Sequence, residues 1–452
     1  MSSSQSPKSP KGPESPRSPA SHGGKAASPE PSPAPPAIVA LSAEEIREAG
    51  ILPGAHWTEQ PIEQVDDDGA STIGSIASTT ASLTSTIFEY RTVHGRTYHG
   101  EIGNAESWEP NDQRHVDSLD IFHHTFMLSL GDKLFLSPLE KNKIHKVLDV
   151  GTGTGLWAID FADEFPNAEV IGTDVSPIQP SWVPPNVKFE LDDCNREWTW
   201  NEDSFDFVHL RMLLGVVSNW SDIFRNAFRC ARSGGYVESM VSSAFFRSDD
   251  GSVKKGSALE QWHSIFWEGG KKLGRTFRVL EDDLQKKAME EAGFVDIAVK
   301  DIKIPLGAWP EDKKLAEIGL WWKMSLESDL EGYLNYLCNA LLGWTTEETA
   351  AYCAHVRKEW NDPNIHSYVW LRVVTDLPAI DHRVTVIGLF ETGQACDLQM
   401  TPLGQSTPDL IWRFAELQTR LRPIQTDPDK ATVRDSKQPV WAKAHVTSGN
   451  LD

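Results

Sequence analysis

One stretch constrains the fold more than any other: Val147-Leu148-Asp149-Val150-Gly151-Thr152-Gly153-Thr154-Gly155. An apolar run of strand length leads into three alternating glycines, and a helical pattern begins near Trp157. Glycine is needed where a loop takes positive φ or where backbone must approach a ligand with no Cβ in the way. The helix start behind it presents unpaired N–H groups. A strand, a glycine loop and a helix in this order predict an α/β unit with a ligand loop at the carboxyl end of a buried strand.

The spacing separates the candidate ligands. The dinucleotide pattern GxGxxG requires its third glycine at position 156, which is Leu156 here. The DxGxGxG pattern suits instead a cofactor with a cationic amine and a sulfonium and no pyrophosphate. Further on, the chain alternates short strand and helix patterns. Strands are predicted at Ala168–Thr173, Val187–Leu191, Phe205–Leu210, Tyr236–Val241, Val295–Ile304 and Tyr368–Val374. Helices are predicted over about 112–135 and at Trp157–Phe165, Trp220–Cys230 and Asp282–Ala292, with a helical insert over 310–360. This alternation predicts a mostly parallel sheet with helices on both faces.

Polar residues recur at the predicted strand ends, where such sheets bind ligands. Asp174 ends the second strand, placed to accept the hydroxyls of a ribose. Asp192-Asp193-Cys194 end the third, where Asp193 can accept an amino proton of a base and a neighbouring N–H can reach a ring nitrogen. Val208-His209-Leu210-Arg211 end the fourth.

Composition narrows the class. The 452 residues carry a formal net charge of −22, which argues against direct nucleic-acid binding, because phosphate contacts need a basic field. No run approaches the roughly 18 apolar residues of a membrane span, and no secretory pattern opens the chain. Cys194, Cys230, Cys338, Cys353 and Cys396 form no CxxC pair, pointing to a reducing, nuclear or cytoplasmic location rather than secretion. Residues 1–40 hold ten prolines and ten serines, many as Ser-Pro pairs, with a small basic excess. They are expected to be a disordered head open to proline-directed phosphorylation, or an inert linker. Residues 41–83 read as a poorly ordered approach, with a capping-box pattern at Ser42-Ala43-Glu44-Glu45. All the net negative charge falls within residues 41–375.

Residues 84–374 resemble a class I S-adenosylmethionine-dependent methyltransferase. The resemblance rests on DxGxGxG, the GxD at Gly172–Asp174, the acidic third-strand turn, Phe205-Asp206-Phe207-Val208, and Ser233-Gly234-Gly235 before the fifth strand. Within that class, Pro110-Asn111-Asp112, Asp117–His124, Phe207–Arg211, Gly293-Phe294-Val295 and Pro305–Pro310 resemble the fungal LaeA-like methyltransferases. Ser233 replaces a usual proline, and Met212-Leu213 stand where an aromatic is common. The resemblance implies a Rossmann-like seven-stranded sheet with a helical insert between strands six and seven as a substrate-side cap. It implies S-adenosyl-L-methionine as cofactor, with Asp149, Gly151, Thr152, Gly153 and Gly155 around its methionine end. Asp174 would take the ribose and Asp193 with Cys194 the adenine, while Arg211 would pair with the cofactor carboxylate or with a core acid. Family members include regulators of secondary metabolism and biosynthetic methyltransferases. The acceptor is therefore a small molecule or a protein, and regulatory protein partners or a non-catalytic regulatory role stay open.

Methyl transfer from a sulfonium needs alignment and exclusion of water more than side-chain chemistry. A hydroxyl acceptor would also use a base, for which His209 and His124 are the candidates, with His123 beside them. Trp262, His263, Phe266, Trp267, Trp321 and Trp322 read mainly as buried helix faces near the acceptor side. Asp66-Asp67-Asp68 and Glu281-Asp282-Asp283 are not expected to bind metal, the second cluster suiting a helix N-terminus. Residues 375–452 lie past the seventh strand and are expected to be a poorly ordered extension.

Overall fold

The computed structural model describes residues 40–60, 90–99 and 107–377, and the backbone of 388–389 and 395–396. Two short helices, α1 (Ala43–Glu48) and α2 (Gly54–Glu59), precede an antiparallel ribbon, β1 (Arg91–Val93) and β2 (Arg96–Tyr98). There follow α3 (Gln113–Ser129), β3 (Lys146–Val150), α4 (Leu156–Glu164), β4 (Glu169–Asp174), β5 (Val187–Leu191) and β6 (Phe205–Arg211). Then come α5 (Trp220–Cys230), β7 (Ala231–Ser242), α6 (Ala258–Leu273), α7 (Leu284–Ala292) and β8 (Val295–Pro305). The insert is built from α8 (Lys313–Ser328), α9 (Leu330–Asn335), a π-helical turn at Tyr336–Leu341 and α10 (Thr346–Trp360), and β9 (Tyr368–Leu377) closes the sheet. In a separate unit, residues 380–452, the described part is an antiparallel pair, β10 (Gly388–Leu389) and β11 (Ala395–Cys396).

The seven-stranded sheet runs β5-β4-β3-β6-β7-β9-β8. The strands from β5 to β7 are parallel, and β9 pairs antiparallel with both β7 and β8. Strands β3, β4 and β6 are buried on both faces, as parallel strands between helix layers must be. One layer is a column of rings, in which Trp157 and Phe161 stack at 4.9 Å and Phe161 and Phe165 at 4.3 Å, against Phe207. The other layer is the larger core, where α5 turns Trp220, Ile223, Phe224, Ala227 and Cys230 inward at helical spacing.

Several boundaries differ from the sequence reading. α3 stops at Ser129, because Gly131 and Asp132 both take left-handed backbone. α7 starts at Leu284, because Asp283 has φ 55°. Asp283 sits at the N-cap of α7, as the sequence suggested, but its side chain caps no N–H, and Glu281, Asp282 and Asp283 face Arg247, Arg278 and Arg372 respectively.

Residues 40–60 are also not a loose approach. Ser42 forms the expected capping box, Trp57 is buried, and the segment is tied to distant chain. Leu41 N–H donates to the Leu341 carbonyl at 2.7 Å, Leu52 N–H to Gln261 Oε1 at 2.9 Å, and His355 Nε2 meets the Trp57 carbonyl at 3.1 Å. The Ser/Pro-rich head, Asp66–Asp68 and the extension past 377, apart from β10 and β11, lie outside the described residues.

Candidate active site

The glycine loop is shaped from within. Asp149, buried at the end of β3, accepts a hydrogen bond from Thr152 Oγ1 at 2.6 Å on one carboxylate oxygen. It meets His209 Nδ1 at 2.7 Å on the other. Gly151, Gly153 and Gly155 all take positive φ, which by itself favours glycine at each. A Cβ at Gly151 would overlap Leu213, and one at Gly155 would overlap the Phe189 ring. A Cβ at Gly153 would meet open space, since that residue faces a cavity.

This cavity, of about 240 Å³, runs along the carboxyl ends of β3, β4, β5 and β6. Gly151, Thr152, Gly153, Asp174, Asp193, Cys194 and Arg211 all line it, so seven of the nine predicted cofactor residues converge. The other two, Asp149 and Gly155, do not; their groups are spent on holding the loop.

The Asp174 carboxylate accepts the N–H of Gly153 and of Ser176, each at 2.9 Å. Burial pushes its pKa up to about 6 in spite of these donors. Asp193 Oδ1 accepts from the Asn195 backbone and side chain at 3.0 and 3.1 Å. Burial raises the Cys194 thiol to about 12, so it is a neutral wall. Burial lowers Arg211 to about 10, still cationic at neutral pH; its Nη1 reaches His123 Nδ1 at 3.1 Å, and His123 Nε2 reaches Asp160 at 2.8 Å.

The two catalytic candidates are placed elsewhere. His209 is 1% exposed, stacked on Trp157 with ring centroids 3.7 Å apart, and is not among the cavity residues. It shares a strand face with Arg211 but lies two residues deeper in β6, where Trp157 of α4 covers it. His124 is exposed on the outer face of α3, edge-on to Trp321 at 4.5 Å. Neither can reach a group held in the cavity.

The other half of the cavity is aromatic. Phe122 and Phe126 of α3, Trp262 and Phe266 of α6, Phe277, and Trp322 of α8 form its walls. Trp262 and Phe266 are thus both core and lining, while Trp321 is turned outward to His124. Met212, at φ 57°, turns the chain sharply after β6 and lines the cavity too. The sequence reading did not single out Glu109, Asn111, His115 or Tyr333 as site residues, although all four line it. The Pro110-Asn111-Asp112 pattern was the available signal. Burial raises Glu109 to about 6.

Comparison with known proteins bears on what such a site does. A model of the methyltransferase domain family matches residues 122–299. The chain is 36% identical to the methyltransferase pytC of Aspergillus terreus over 323 residues, covering 71% of this chain and 95% of that protein. It is 31% identical over 280 residues to the secondary metabolism regulator LAE1 of Cochliobolus heterostrophus, covering 61% and 90%. It is 30% identical over 287 residues to the protein-methionine methyltransferase laeA of Emericella nidulans, covering 63% and 75%. Together with the sheet order and the glycine loop, these matches establish that the chain belongs to the fungal LaeA/pytC-type family of class I S-adenosylmethionine-dependent methyltransferases.

Proposed function

We propose that this enzyme methylates a small, largely apolar molecule seated beneath the cap of α8 to α10, in fungal secondary metabolism. The observation that carries the reading is the division of one cavity into a polar half at the strand ends and an aromatic half under the cap. Its concave aromatic walls suit a small molecule or a single inserted side chain rather than a folded partner.

The polar half fits S-adenosylmethionine. The open side of Gly153 leaves room for close approach, and Asp174 keeps lone pairs for two ribose hydroxyls. In this reading Gly151, Thr152 and Gly153 hold the methionine end, with Arg211 at its carboxylate, and Asp193 and Cys194 flank the adenine. Asp149, His209 and Gly155 support the loop from behind. When bound, the cofactor supplies an electrophilic methyl group on a sulfonium. The protein's share is to align the acceptor and keep water out. The catalytic body is residues 84–374 with the insert as its cap, flanked by the head and the extension.

Calorimetry with S-adenosylhomocysteine and NAD tests the cofactor half; binding of NAD alone overturns it. Metabolite profiling of a deletion strain tests the acceptor half. Loss of one methylated product, with its unmethylated precursor accumulating, supports the reading, and broad change across many products counts against it. The basic Ser/Pro head and the regulator relatives favour a second reading, a nuclear regulator acting on a protein acceptor or through protein partners. Imaging the tagged chain with and without residues 1–40 separates the two, since signal confined to the cytoplasm in both removes the second.

A further inference from the structure

His115, in the first turn of α3, is 1% exposed and lines the cavity. Its Nδ1 lies 2.9 Å from Asp329 Oδ2, at the junction of α8 and α9. Its Nε2 is buried with no partner among the described residues. Beside it, Asn111 also lines the cavity, and both of its side-chain amide atoms are buried without a partner among the described residues. Buried polar groups are rarely left unpaired, and two of them in one cavity point to a polar group of a ligand.

The partners of Asp329 set the tautomer. Arg96 donates to both of its oxygens at 2.9 and 2.8 Å, and Arg114 lies within 3.3 Å. A carboxylate held this way is ionised and can only accept, so His115 Nδ1 carries the proton and Nε2 offers a lone pair. Tyr333 packs edge-on against the ring at 5.0 Å, and Asp112 and Glu109 complete the charged surroundings.

Building on the small-acceptor reading, we infer that His115 is the general base for a hydroxyl acceptor, with Asp329 as its positioning residue. The acceptor oxygen donates its proton in a hydrogen bond to Nε2. As that oxygen forms a bond to the methyl carbon, the methyl–sulfur bond breaks with its electron pair left on sulfur. The hydroxyl proton passes to Nε2, and the imidazolium formed is balanced by Asp329. The products are a methyl ether, a neutral thioether and protonated His115, which then returns its proton to solvent. A thioether acceptor such as methionine has no proton to lose and would leave this pair without a task.

The test uses the full-length chain with methyl-labelled S-adenosylmethionine and three flat phenols, 1-naphthol, 2-naphthol and 7-hydroxycoumarin, from pH 5 to 9. His115→Asn keeps a donor towards Asp329 but has no base. It should lose about 100-fold or more in kcat, and the acid limb of kcat read at saturating S-adenosylmethionine. Its affinity for S-adenosylhomocysteine should stay within about twofold of the parent. A loss below tenfold with an unchanged profile overturns the proposal. Asp329→Asn, if folded, should shift the acid limb; if it does not fold, His115→Asn decides. Diethyl pyrocarbonate gives a readout free of any acceptor. His115 should be carbethoxylated as pH rises, by peptide mapping, and an inert His115 beside a reactive His124 overturns the assignment. A parent chain that binds S-adenosylhomocysteine and methylates no phenol, yet shows a reactive His115, overturns the acceptor reading and supports an open Nε2.

Discussion

His209 Nδ1 lies 2.7 Å from Asp149 Oδ1, and the same imidazole lies flat on Trp157, with 5° between the ring planes. The two residues are register partners on neighbouring strands, so the contact is fixed by the sheet itself. The acid of the glycine motif is therefore an internal brace, carrying the position of β6 and α4 into the loop. Asp149→Asn replaces an ionised acceptor by an amide and should cost about 2–3 kcal/mol by denaturant unfolding. It should also weaken S-adenosylhomocysteine binding by calorimetry. His209→Gln should behave alike and keep the acid limb of the pH profile, which a catalytic His209 would not.

Gly153→Ala and Gly155→Ala should part company. Alanine at 153 has open space and pays only for its left-handed backbone, about 1 kcal/mol. The variant should fold and bind S-adenosylhomocysteine much more weakly. Alanine at 155 meets the Phe189 ring as well, so thermal unfolding should reveal a loss several times larger.

In the proposed cofactor reading Asp174 takes the ribose hydroxyls as a carboxylate, and burial raises its pKa to about 6. Below that pH a proton has to leave before ligand can bind. Calorimetry at pH 5, 6, 7 and 8 should give a nearly constant affinity for S-adenosylhomocysteine above about pH 7. Below about pH 6 the affinity should weaken by up to tenfold per unit.

Asp376 is 2% exposed, and burial raises its carboxyl to about 7 although it accepts the Val237 N–H at 2.9 Å. The folded chain thus holds a proton that the unfolded chain gives up near pH 4. Between about pH 4 and 7 this group stabilises the fold less as pH rises, and above 7 the contribution is gone. Asp376→Asn keeps the acceptor oxygen and needs no proton. It should raise the unfolding free energy at pH 8 by about 1–4 kcal/mol and change it little at pH 4.

What the sequence revealed follows from the range of the forces involved. Val147–Gly155, Asp174, Asp193 and Arg211 were legible because a buried strand and its following turn are local patterns. His115, Asn111 and Tyr333 were not, because only packing brings α3 and α9 to one cavity, across more than two hundred residues in the case of His115 and Asp329. His209 was misread for a related reason. A strand end names the residues near a crevice, but how far along the strand the crevice reaches depends on what covers each residue, and here Trp157 of α4 covers His209 while Arg211, two residues on along the same face, lines the cavity.

The packing of α2 has a practical consequence. Trp57 sits edge-on to Tyr352 at 5.0 Å and beside His355 at 5.3 Å, both on α10. A fragment cut at residue 84, where the methyltransferase motifs suggest a border, would strip this indole from the cap and open a hollow over α10. The shortest self-sufficient fragment should instead begin by Ala40, and one begun at 84 should express poorly or aggregate.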